Sequence, residues 1–224
     1  MKSKIFLRLI ILSFAVFGAF GVCAAGLTRQ EASSWAEEKG NLLLDAFAGN
    51  DLAVKYARLD ELFLNYVDLD YVGKFVVGKY WKTMTPGQKT EYLELFRRYA
   101  LGLYKTFPLS FNHRIGFQII RTVVKGNNAD VTAQIRFQGM SEQDPLQNLL
   151  LEFKLRKTAD GIKILDLKLA ESSLILSYRS RFYAMIAEDD GDMTWFLEDF
   201  RTSVESIERT NQLRLEKEFP YPEE

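Results

Sequence analysis

Cysteine and histidine are nearly missing from this 224-residue sequence, with Cys23 and His113 the sole examples. A single imidazole cannot build a His-based metal cage, and a single thiol cannot close an internal disulfide. A Ser-His-acid triad would have to run through His113, which has no nucleophile motif beside it. No Gly-rich phosphate loop of either standard spacing occurs. Positive charge is short as well: 29 Lys and Arg stand against 30 Asp and Glu, with no basic run. That balance excludes the usual electrostatic footprint of a nucleic-acid binder. There is no internal repeat and no low-complexity segment.

What is present begins with a leader. Lys2, Lys4 and Arg8 precede an apolar stretch over 9–25 that only Ser13 interrupts, and Thr28, Arg29 and Gln30 follow. A basic start, a short apolar middle and small residues at Ala24 and Ala25 predict a cleaved secretory signal over 1–25. The competing reading is a retained membrane anchor. A lipoprotein site at Cys23 is disfavoured by the bulky Val22. Removing the leader and its three cations leaves 26 Lys and Arg against 30 Asp and Glu, a formal charge of −4. It also removes the cysteine, so the remaining chain must be stable by its core alone. A hydrophobic fraction of 47% and an aromatic fraction of 13% suffice for one. A single domain is expected over 26–210, with a polar tail over 211–224 that frays.

Helical patterns fill the first half. Thr28 and Glu31 form a capping-box pattern ahead of a helix to about Ala48, and a second helix is expected over 52–66. A third carries Tyr71, Val72, Phe75, Val76 and Tyr80 at helical spacing. Gly73 and Gly78 weaken it by about 1 kcal/mol each, and they point either to a close approach or to a bend. Thr85, Pro86 and Gln88 then start a helix running to about Phe107. Its apolar face includes Tyr92, Leu95, Phe96, Tyr99 and Leu103.

Four strands follow in the pattern. The first covers 115–124; the second, 129–137, alternates Ala129, Val131, Ala133, Ile135 and Phe137 with polar residues. After a polar loop containing Pro145, the stretch 149–182 organises the rest. Leu149, Leu151, Phe153 and Leu155 alternate, Gly161 supplies a turn, and a last strand runs over 162–169. Its parity slips between Ile164 and Leu165, as a bulge or burial on both faces would cause. After Ser172 and Ser173 the period becomes helical, with Leu174, Tyr178, Phe182 and Ile186 on one side, so this helix is expected to pack back over the hairpin. Met193, Phe196, Leu197, Phe200, Val204 and Ile207 mark a final helix. Asp166, inside an apolar strand, is either an outward-facing, hydrogen-bonded carboxylate or an acid/base group within a pocket.

Two segments resemble a known family. GKYWKTMTPGQKTEYLELFRRYALGLY (78–104) and GIKILDLKLAESSLILSYRSRF (161–182) are similar, in that order and spacing, to segments of the MlaC and toluene-tolerance family of periplasmic phospholipid carriers. Gly78, Trp81, Pro86, Gln88, Phe96 and Tyr104 match the first. Asp166, Ser173, Tyr178, Arg179 and Phe182 match the second. Glu171 departs from the family's usual glycine, Ser172 from its valine, and Ile162 from its tryptophan.

The resemblance implies an α+β fold, with helices on a twisted four-stranded antiparallel sheet in a cone like that of nuclear transport factor two. It implies a soluble, monomeric periplasmic carrier that holds phospholipid or a related lipid in an apolar slot. The implied partners are an outer-membrane lipoprotein complex and the substrate-binding ring of an inner-membrane ABC transporter. No cofactor, metal or nucleic acid is implied. On this reading the slot is lined by Phe96, Tyr99, Leu103, Val131, Ile135, Phe137, Leu151, Phe153, Leu174 and Tyr178. Two alternatives stay open: a small hydrolase or isomerase using Asp166 or His113, and an adaptor with no ligand.

Overall fold

Two reciprocal caps fix where long helices begin. Thr28 Oγ1 accepts from the Glu31 N–H at 3.2 Å, while Glu31 Oε2 accepts from the Thr28 N–H at 2.8 Å. Thr85 and Gln88 repeat the arrangement, with Pro86 in the first turn. Each box closes donors that a helix leaves unpaired at its start.

The computed structural model describes residues 26–48, 51–106, 115–137, 139, 141 and 149–216. The expected leader, His113, the Pro145 loop and residues 217–224 lie outside the described residues. The helices are α1 (Arg29–Ala48), α2 (Leu52–Tyr66), α3 (Leu69–Val77), α4 (Pro86–Leu103), α5 (Leu174–Glu188) and α6 (Met193–Leu215), with short 3-10 turns at Gly78–Lys82 and Tyr104–Thr106. The last helix therefore runs into the stretch expected as tail. The strands are β1 (Ile115–Lys125), β2 (Asn128–Phe137), β3 (Leu150–Thr158), β4 (Gly161–Leu169) and β5 (Ser172–Ser173).

The fold is α+β, but among the described residues the sheet has five antiparallel strands in the order β1-β2-β3-β4-β5, not four. The extra strand arises because the chain reverses tightly at Ala170 and Glu171, which lets Ser172 pair with Leu169 and Ser173 with Lys168. The parity slip in β4 is a bulge: Leu155 pairs with Ile164 but Lys154 with Asp166, so Leu165 is the inserted residue. The insertion returns Leu167 and Leu169 to the face already holding Ile162 and Ile164.

The helices form a second core. Phe182 of α5 lies 5.0 Å from Phe200, 6.0 Å from Phe96 and 6.1 Å from Phe196 between ring centroids. Tyr92 joins this cluster and donates its hydroxyl to Gly73 O at 2.9 Å, so its burial leaves no orphan donor. Instead of lying mainly over the hairpin, α5 sinks its buried residues among α3, α4 and α6. Its aromatic side chain at Phe182 finds more apolar partners there than the sheet offers.

Of the two glycines of the third helical stretch, Gly73 serves close approach, and Gly78 serves both close approach and the bend. A Cβ on Gly73 would lie 2.9 Å from Phe96 Cδ1, so this glycine allows close approach of α4. Gly78 has φ +54° and ends α3, so it is the bend.

Candidate functional site

The apolar face of the sheet is an array of cross-strand rows. Val124, Ala129, Leu155 and Ile164 form one row, and Thr122, Val131, Phe153 and Leu167 the next. Ile119, Ala133, Leu151 and Leu169 form a third, with Ile135 and Phe137 continuing beyond it on β2. The start of α1 is tied over the first two rows. Leu27 N–H donates to Gly126 O at 3.2 Å, Lys157 reaches Glu31 at 3.0 Å, and the Ser33 and Thr122 hydroxyls meet at 2.7 Å. Ala32 and Ala36 let the helix lie close against Val131 and Phe153. Farther along, α1 turns its side chains to α2 and the end of α4, where Ala46 packs with Leu59 and Tyr104.

Cover therefore thins toward the β3–β4 side of the third row, although Ala133 in that row is still buried. Val131 and Phe153 are 0% and 2% exposed, Leu151 is half-buried, and Leu169 is 46% exposed. Ile135 and Phe137 are half-buried as well. The start of α5 borders this open end, with Leu174 exposed and Tyr178 half-buried. The candidate site is this partly covered apolar end of the sheet.

The ten residues expected to line one slot fall into three groups. Val131 and Phe153 are sealed beneath α1, and Phe96 and Tyr99 are buried in the helical core. Ile135, Phe137, Leu151, Leu103 and Tyr178 keep some accessible surface, and Leu174 is exposed. Leu174 was expected on the buried side of α5, but Ile175 takes that place, because capping by Ser173 begins the helix at Leu174 and sets its rotation. Leu167 and Leu169 were missing from the expected lining. Their odd numbers match Leu151 and Phe153, and placing the bulge at Leu165 would have found them.

Asp166 is hydrogen-bonded, as the simpler reading has it, but it is buried rather than outward-facing. It is 5% exposed, and it accepts from Ser173 Oγ at 2.6 Å and from the Ile175 N–H at 3.1 Å. Ser173 Oγ in turn accepts from the Leu176 N–H at 3.2 Å. Strand β4 and helix α5 are thus latched through a carboxylate and a hydroxyl, on either side of a turn with φ of 45° at Ala170 and 70° at Glu171. Neither is glycine, and each such residue costs about 1–2 kcal/mol relative to right-handed backbone.

Around Tyr178 the electrostatics are set by burial. The Tyr178 hydroxyl is pushed up to about 12, chiefly by desolvation and then by Tyr99, with Arg181 opposing. Tyr99 is also raised by burial against the opposing charge of Arg181. Its ring meets Tyr178 edge-on at 6.3 Å. Among the described residues no group of three or more His, Cys, Asp or Glu side chains could hold a metal, and no helix is long and apolar enough to cross a membrane.

A model of the MlaC protein family matches residues 44–199, well over half of the chain. The chain belongs to the MlaC family. The matched MlaC region runs from the end of α1 into α6 and contains the whole sheet. The fold is also similar to that of the phospholipid-binding protein from Ralstonia solanacearum, solved in complex with a phospholipid. The TM-score is 0.59 at 16% identity, covering 77% of this chain and 98% of that one. At that identity the likeness speaks for the fold. The MlaC-like segments in this chain are structural where they meet: Arg179 donates to Phe75 O at 3.4 Å and to Tyr183 Oη at 3.0 Å, next to Gly78. Trp81 lies beneath the ammonium groups of Lys74 and Lys89, each 5.5 Å from its ring.

Proposed function

We propose that this protein binds a phospholipid, or a related lipid, with its acyl chains against the open end of the sheet's apolar face. The observation that carries this reading is the loss of cover along the rows from Phe153 to Leu169. An ordinary core would close that face. The MlaC membership, and the phospholipid held by the Ralstonia solanacearum protein, support the ligand class.

The energetics fit a carrier. Each buried methylene is worth about 0.8 kcal/mol, so a sixteen-carbon chain resists entering water by roughly 13 kcal/mol. A protein that shields the chains and leaves the headgroup wet removes that barrier without any catalytic group. Within the proposal the chain is a periplasmic carrier, released from a cleaved leader, with helices closing cone-like over the lipid. It works between an outer-membrane lipoprotein complex and the substrate-binding ring of an inner-membrane ABC transporter. The sequence encodes no phosphate loop, so the energy for directional transfer comes from a partner. The moving part is the junction over 169–174, where two left-handed non-glycine residues store strain beside the open rows.

A hydrolase using Asp166 is disfavoured, because both its carboxylate oxygens already hold β4 to α5. Native mass spectrometry of the purified protein tests the reading. The expected spectrum contains a non-covalent adduct of phospholipid mass, released by organic solvent. A bare protein that also takes up no lipid from vesicles would contradict it.

A further inference from the structure

Tyr99 has a hydroxyl buried without a hydrogen-bond partner, and the residue is only 4% exposed. The other deeply buried tyrosines are satisfied. Tyr92 donates to Gly73 O, Tyr56 to Lys105 O and Tyr104 to Asp60. A buried donor left without an acceptor is costly and rare, so it marks a place where an acceptor arrives from elsewhere. Water is a poor candidate, since a buried water needs two to four polar partners. The rings packed on Tyr99 include Phe182 at 5.6 Å and Phe200 at 5.4 Å, which offer none.

Tyr99 precedes Leu103 by one turn of α4 and meets Tyr178, which follows Leu174 by one turn of α5. Tyr178 is half-buried and Arg181, three residues further, is exposed. The charge of Arg181 acts on both hydroxyls, and all three groups are donors. A glycerolipid supplies the matching acceptors: ester carbonyls that only accept, and an anionic phosphate.

We propose that Tyr99 Oη donates a hydrogen bond to an acyl-ester carbonyl oxygen of the bound lipid, so that the site selects ester-linked glycerolipids over lipids lacking that carbonyl. This rests on the lipid-binding reading above and adds the linkage that is recognised. No bond is made or broken; the hydroxyl keeps its proton at neutral pH, as its raised pKa requires.

The test uses dioleoyl phosphatidylglycerol and its di-O-alkyl ether analogue as competitors against a pyrene-labelled phosphatidylcholine, with the lipid-free native protein and Tyr99→Phe. The native protein is expected to prefer the ester by about fivefold, the worth of one net hydrogen bond. Tyr99→Phe should bring that ratio near one while leaving ether affinity unchanged. The lipid-free Tyr99→Phe protein should melt no lower than native, because no protein partner is lost. An unchanged ester-to-ether ratio in Tyr99→Phe, or a melting temperature several degrees lower, would overturn the inference. Binding of neither lipid would remove the proposed function itself, and this inference with it.

Discussion

Gly78 lies directly beneath Tyr183: a Cβ at Gly78 would overlap the Tyr183 hydroxyl and come within 2.9 Å of Arg179 Nη2. The Tyr183 hydroxyl accepts from the Lys79 N–H at 3.1 Å and from Arg179, which together hold its pKa below the usual value although burial pushes it up. One glycine therefore lets the end of α3 dock on α5. Gly78→Ala should destabilise the fold by about 2 kcal/mol or more, from the positive φ and the overlap together. Gly87→Ala is the control, since nothing lies within 4 Å of its Cβ position. It should be neutral or slightly stabilising. Urea unfolding with unchanged slope measures both. Equal midpoints for the two variants would contradict the docking.

The turn at Ala170 and Glu171 gives an expectation of opposite sign. Both residues hold positive φ, at 45° and 70°. Glu171→Gly should stabilise the lipid-free protein by about 1 kcal/mol by relieving left-handed strain. If the stored strain helps the junction open, the same variant should also release lipid more slowly to acceptor vesicles. A lower melting temperature for Glu171→Gly would show that the turn is not strained.

Much of this was legible in the sequence because the deciding signals are local. Thr28 with Glu31, and Thr85 with Pro86 and Gln88, fix helix starts through their own neighbours. The parity slip at Ile164 and Leu165 marked the place, leaving a bulge or burial on both faces, and the register decides for the bulge. What could not be read was how the elements share partners. Tyr99 and Val131 are both apolar-face residues by periodicity, yet one joins the helical core and the other lies under α1, because tertiary packing decides which face meets which. Leu174 was misplaced for a similar reason. The rotation of α5 follows from the Ser173 cap and the Asp166 latch, and the latch depends on a seven-residue return that periodicity does not encode.

That latch can be measured. Asp166→Ala leaves the Ile175 N–H and the Ser173 hydroxyl without their acceptor and should cost about 1–3 kcal/mol. Ser173→Ala removes the cap as well as one bond to Asp166, with a loss of similar size. Because the two share one network, the double variant should cost less than the sum, by about 0.5–3 kcal/mol. Strict additivity in denaturant melts would mean the residues act separately.

Acid should loosen α1 in a defined window. Hydrogen bonds from Thr28, and then from Lys157, lower the Glu31 carboxyl from an ordinary 4.5 to about 2. A folded-state value below the unfolded one means its stabilisation is complete above about pH 4.5 and is lost as pH falls toward 2. Native protein and Glu31→Gln should therefore differ in melting temperature at pH 6 and converge near pH 2. A gap that stays constant across the range would remove Glu31 from the account.

The most direct test of the lipid-bearing face compares Leu169→Arg with Gln134→Arg. Leu169 is 46% exposed in the row with Leu151, so an arginine there leaves the buried core intact. Gln134 is half-buried and alternates with Ala133 and Ile135, and so points to the opposite face of the sheet. Both proteins should keep the native circular dichroism spectrum. Lipid bound per protein, read by native mass spectrometry after incubation with phospholipid vesicles, should fall at least tenfold in Leu169→Arg through the cost of placing a charge against acyl chains, and stay at the native level in Gln134→Arg. Full loading of a folded Leu169→Arg protein would contradict the placement of lipid on this face.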